Sequence, residues 1–121
     1  MDKAAGVLAY IADKGWLAGD LRCAFLAAGE YNENYRISGA SGDYVCRINH
    51  GTQLGLADQI GYEFTVLQAV YPSGVTPRPL AYSRDGGGLG QGVLLMEYLP
   101  GRPLDYKRDL DVAARIFARI H

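Results

Sequence analysis

The sequence predicts an α+β domain: an antiparallel five-stranded sheet, one long helix after the third strand, and flanking helices at both ends. Two observations carry this. Five runs rich in β-branched and aromatic residues are joined by short Gly/Asp-containing turns, which favours antiparallel neighbours. A single long stretch with helical periodicity, bounded by proline, interrupts them after the third run.

The elements follow in order. From Lys3 to Trp16 the apolar residues Val7, Leu8 and Ile11, with Ala4, fall on one stripe of a short helix, and Gly15 and Gly19 end it. "RCAFLAA" (22–28), "NENYRIS" (32–38) and "YVCRIN" (44–49) read as a three-strand meander. The first turn is "GEYN" and the second is "GASGD", which has hairpin chemistry. Ile60, Phe64, Leu67 and Tyr71 recur on one stripe of a helix from about Leu56 to Tyr71, and "YPSGVTPRP" stops it. "LAYSR" (80–84) and "GVLLMEYL" (92–99) are the last two strands. After "PGRP", "DLDVAARIFARIH" reads as a final helix, with Asp109 or Asp111 near its start and Val112, Ile116 and Ile120 on one side. The expected organisation is one domain over 1–121, with the first helix in 1–20, the sheet and long helix in 21–99, and a connector with the last helix in 100–121.

Composition narrows the function classes. The chain has 121 residues, 49% of them hydrophobic and 21% charged, so it is expected to fold as one soluble globule. A formal net charge of -1 and scattered basic residues give no pull towards nucleic acid or an anionic membrane. No apolar run approaches the length of a membrane span, and Asp2, Asp13 and Lys14 break up the only candidate leader. Cys23 and Cys46 lack metal-type spacing and are expected to be free thiols of a cytoplasmic protein; His50 and His121 are too few for a histidine zinc site.

The ionisable residue out of place is Arg47, inside a strand between Cys46 and Ile48. Alternation puts Val45, Arg47 and Asn49 on one face. Glu63 lies on the flank of the helical stripe, angled partly towards the sheet. A sheet-plus-helix packing would bring Arg47 and Glu63 together and leave guanidinium donors for a phosphate. The alternative is a solvated Arg and a helix-edge Glu that never meet. "GGGLGQG" (86–92) matches no dinucleotide fingerprint and does not run from strand to helix, so it reads as a flexible hairpin loop. "SGASG" precedes a strand and is no nucleophile elbow. No triad, metal cluster or carboxylate pair stands out.

In order and spacing these segments resemble the amino-terminal lobe of the aminoglycoside, choline and homoserine kinase-like phosphotransferases. "AAGEYNENYRI" is similar to that group's first strand–turn–strand, with Gly29, Asn32 and Tyr35 in place. "YVCRI" resembles its third strand, where Arg47 takes a position held by Lys or Arg. "YEFTVLQAV" resembles the helix whose acid pairs with that cation, here Glu63. "PRPLAYS", "VLLMEYLPGRPL" and "ARIFARIH" resemble the fourth strand, the fifth strand with its hinge, and the following helix. The resemblance implies a kinase-like lobe that binds ATP. Gly29 and Asn32 would shape the phosphate turn, and Arg47, held by Glu63, would meet the α- and β-phosphates. Val45 would pack over the base with Met96 behind it, and the Glu97 carbonyl and Leu99 amide would pair with the adenine edge. It also implies that the catalytic Asp, its Asn and the Mg²⁺-binding Asp lie in a second lobe, together with recognition of a small-molecule hydroxyl acceptor. These 121 residues are therefore expected to be a fragment that transfers no phosphate alone and to pair as a homodimer through the exposed lobe–lobe face. Two other readings are a non-catalytic nucleotide-binding module and a small self-associating structural domain.

Overall fold

The computed structural model describes residues 3–29, 31–50, 59–74 and 76–99. The helix expected over 109–121, the connector from 100 onward and the first residues of the long helix at 56–58 lie outside the described residues. The elements are α1 (Lys3–Lys14), β1 (Arg22–Ala28), β2 (Asn32–Gly39), β3 (Gly42–Asn49), α2 (Gln59–Val70), a 3₁₀ turn (Tyr71–Ser73), β4 (Pro79–Ser83) and β5 (Gly92–Glu97). The strands form one antiparallel sheet in the order β1-β2-β3-β5-β4, so the α+β class predicted from the sequence is observed. Proline at the start of β4 is tolerated because β4 is an edge strand.

Because side chains alternate, each central strand feeds two cores. On one face Tyr35, Ile37, Cys46, Ile48, Val93 and Leu95 pack under Val7, Tyr10 and Ile11 of α1. On the other face Val45, Leu94 and Met96 pack with Ile60 of α2, flanked by Phe64 and Leu67. Strand β5 serves both cores and is buried along almost its whole length, hence its unbroken apolar run "VLLM". Each fully buried Ile or Leu contributes about 1.5–3 kcal/mol relative to exposure.

Three expectations need correction. Tyr10 faces the core although the apolar stripe omitted it, because its ring packs among the buried residues while its hydroxyl reaches the Asp85 carbonyl. Tyr71 is not the last residue of the α2 stripe. It begins the 3₁₀ turn and is exposed, because Pro72 removes the amide the helix needs next. "GGGLGQG" is the expected hairpin loop between β4 and β5, but its glycines are closely packed. A Cβ on Gly86 would sit 1.9 Å from the Gly90 carbonyl oxygen, and one on Gly90 would sit 2.7 Å from the Asn49 carbonyl oxygen. The amide of Gln91 donates to that same Asn49 carbonyl at 2.8 Å. The glycines let the loop fold onto the end of β3.

Candidate nucleotide groove

The β2–β3 hairpin turns tightly through Gly39 and Gly42, and that turn sets the register: Asn34 stands opposite Arg47, and Arg36 opposite Val45. Arg47 emerges on the α2 side of the sheet. Its Nε donates to Asn34 Oδ1 at 3.0 Å and its Nη1 donates to Glu63 Oε2 at 3.1 Å. Strand and helix thus hold the guanidinium at both ends, leaving Nη donors that these two bonds do not use. The side chains of Arg47 and Glu63 are 31% and 21% exposed, so the pair stands at the edge of water and not in the core. Gln59 Nε2 lies 3.5 Å from the other carboxylate oxygen of Glu63, one helical turn away.

Two grooves meet at Arg47. One, of about 280 Å³, has Val45, Arg47 and Asn34 as its roof, Leu26 and Ala27 on one side, and Met96 and the segment Glu97–Leu99 on the other. Leu26 and Ala27 are consecutive yet both line it, because β1 bulges between Phe25 and Ala27. The second groove, of about 380 Å³, lies on the α2 side of Arg47, against Tyr62, Val66 and Leu67. Pro77 and Met96 border both.

The structure brings most of the sequence-predicted site residues together. Val45, Arg47, Met96, Glu97 and Leu99 all line the first groove, and Glu63 lines the second. Gly29 and Asn32 are not among the lining residues of either. The Gly29 amide donates to the Asn32 carbonyl at 2.9 Å, and Asn32 Oδ1 accepts from Asn49 Nδ2 at 3.1 Å. These bonds close the turn and tie it to the end of β3. Sequence reasoning missed Asn34. The "GASGD" hairpin could have pointed to it, since a two-residue loop at 40–41 pairs 34 with 47.

The carboxylates at the grooves are engaged as well. Glu63 holds Arg47, and Glu97 Oε1 accepts the Arg78 amide at 2.8 Å. Among the described residues no group of three or more His, Cys, Asp or Glu could hold a metal ion, so a divalent cation does not fit these side chains alone. On the opposite face of β2, Tyr35 donates to Glu33 Oε2 at 2.8 Å. That bond, reinforced by His50 and Lys3, holds the Glu33 carboxyl below its ordinary value against the opposing effect of burial.

Residues 22–121 match the model of the phosphotransferase enzyme family. The chain belongs to that family. No curated protein matches it. The phosphotransferase match begins at Arg22, the first residue of β1, so it takes in the whole sheet, α2 and both grooves, while α1 precedes it. The strand cation and helix acid that meet at the grooves lie within the matched span. Among the described residues no helix is long and apolar enough to cross a membrane.

Proposed function

We propose that this chain is the nucleotide-binding lobe of an ATP-dependent phosphotransferase that moves a γ-phosphate to the hydroxyl of a small molecule. The observation that carries the reading is the Arg47–Glu63 pair, 3.1 Å apart and beside an open groove. A guanidinium fixed by Asn34 and Glu63 presents its remaining donors in one direction, which suits phosphate oxygens and spares the ligand the entropy of ordering a free arginine. Val45 and Met96 offer an apolar slot for a purine, with Leu26 and Leu99 at its rim. The Glu97 carbonyl and Leu99 amide pair with the ring edge. Because the Arg78 amide goes to the Glu97 side chain, the Glu97 carbonyl is not the acceptor of that hydrogen bond.

Mg²⁺ would supply charge neutralisation of the phosphates, and in this reading its ligands would belong to a second lobe, as would the acid that orients the acceptor hydroxyl and the acceptor site. In this reading the 121 residues bind nucleotide and transfer no phosphate alone. Calorimetric titration of the chain with a non-hydrolysable ATP analogue tests it. Saturable binding that Arg47→Ala weakens by about 100-fold is expected, the scale of a lost charge-assisted phosphate contact. Absence of binding by the wild-type chain, or sustained turnover when the same chain is assayed separately with ATP and Mg²⁺, would refute the corresponding half of the proposal.

A further inference from the structure

A second arginine is held in place against Tyr98, a residue that lines the first groove. Arg36 lies on the same side of β2 as Asn34, opposite Val45. Its Nη2 donates to Asp43 Oδ2 at 2.6 Å, and its guanidinium carbon lies 4.2 Å from the centroid of the Tyr98 ring. The amide of Tyr98 donates to the backbone carbonyl of the same Asp43 at 3.2 Å. Arg36, Asp43 and Tyr98 therefore close a loop of three contacts: an ion pair, a cation over a ring, and a backbone hydrogen bond. The pose is kept although Arg36 Nε is buried without a hydrogen-bond partner among the described residues, a cost that the ion pair and the ring face offset. The Arg36 guanidinium holds the Asp43 carboxyl below its ordinary value, so the pair stays ionised through neutral pH.

Tyr98 borders the groove and sits between Glu97 and Leu99, the two residues whose peptide groups face a bound ring in the reading above. We propose that Arg36 is a positioning residue for the nucleotide base: it clamps Tyr98 against β3 and thereby sets the direction of the flanking Glu97 and Leu99 peptide groups. The inference rests on the nucleotide-binding reading. It is separable from it, because Arg36 acts on the base and Arg47 on the phosphates.

The test uses the 121-residue chain as wild type, Arg36→Ala, Tyr98→Phe and Tyr98→Leu. The probes are a non-hydrolysable ATP analogue and inorganic tripolyphosphate, titrated calorimetrically, with hydrogen exchange at the Tyr98 amide as a ligand-free readout. Arg36→Ala and Tyr98→Leu should each weaken the ATP analogue about fivefold, the scale of a cation–ring contact at an exposed site. Tyr98→Phe keeps the ring and should bind within about twofold of wild type. Tripolyphosphate affinity should not change, and the Tyr98 amide should exchange faster in Arg36→Ala. Equal losses for both probes would mean a collapsed fold and would overturn the assignment. So would wild-type affinity in Arg36→Ala, or Tyr98→Leu behaving like Tyr98→Phe. Wild type binding neither probe would remove the nucleotide reading and the base-positioning role with it, whereas wild type binding both while Arg36→Ala changes neither removes the role of Arg36 alone.

Discussion

Asn34→Ala isolates positioning from charge. Removing Glu63 would mix two opposing effects: it frees Arg47, yet it also deletes a negative charge near the triphosphate. At roughly 6 Å in a water-like dielectric that deletion favours binding by about 0.7 kcal/mol. Asn34 is neutral, so its loss changes how Arg47 is held without deleting a charge. The bond it accepts is 3.0 Å long and its donor is charged. Such bonds contribute about 1.5–3 kcal/mol when protected, and the 31% exposure of Arg47 lets water replace part of that. A net cost of about 1 kcal/mol in nucleotide affinity follows, or a roughly fivefold weaker Kd. The assay is a calorimetric double-mutant cycle over wild type, Asn34→Ala, Arg47→Ala and the double variant. If Asn34 works through Arg47, its substitution has almost no effect once Arg47 is gone, and the coupling recovers most of that 1 kcal/mol. An undiminished Asn34→Ala loss in the Arg47→Ala background would show that Asn34 touches the ligand directly, and the positioning argument would fall.

Three further outcomes are expected. Gly90→Ala places a methyl 2.7 Å from both the Asn49 carbonyl oxygen and Ile48 Cγ2, two buried residues that cannot give way cheaply, so a loss of about 1–3 kcal/mol is expected in urea melts. Glu33 has a folded-state pKa below its ordinary 4.5, held down first by the Tyr35 hydroxyl; it therefore adds stability above the unfolded value and loses it as pH falls through the lower folded value. Urea midpoints should accordingly drop below about pH 5 in wild type and flatten in Glu33→Gln, and identical pH profiles would refute this. Burial pushes the Cys46 thiol up to about 12, with Cys23 a secondary cause, so a thiol reagent at mild alkaline pH should label Cys23 in the native chain and Cys46 only after denaturation.

The parts of the fold that depend on local pattern were legible in the sequence. β1 begins and ends where the run "RCAFLAA" does, and the alternation in "YVCRIN" places Val45 and Arg47 together on the groove side. What depends on register or close approach was not. Asn34 looks like any strand or turn asparagine until the hairpin pairing sets it against Arg47. The Arg36–Tyr98 stack joins residues 62 positions apart, and no periodicity reports it. "GGGLGQG" reads as a flexible hairpin loop because glycine signals both freedom and contact, and only packing against Asn49 and Ile48 tells which applies. The α1 stripe was visible, but nothing in it says which face of the sheet it covers.

That last point bears on why a site exists at all. α1 seals its face: Val7 and Ile11 meet Ile37, Cys46, Ile48, Val93 and Leu95, all essentially inaccessible. An arginine there would have lost its hydration for a pairing that rarely repays it. α2 covers the other face only in part. Ile60 anchors its start, while Tyr62 and Val66 stay exposed and an open groove runs between the helix and Arg47 and Met96 of the sheet. The desolvation cost of the Arg47–Glu63 pair is therefore partial, and its remaining donors face a space that a ligand can enter. Tighter packing of α2 would gain apolar burial and close that space. The incomplete helix–sheet contact is thus the physical condition for a charged strand residue to be both tolerated and usable.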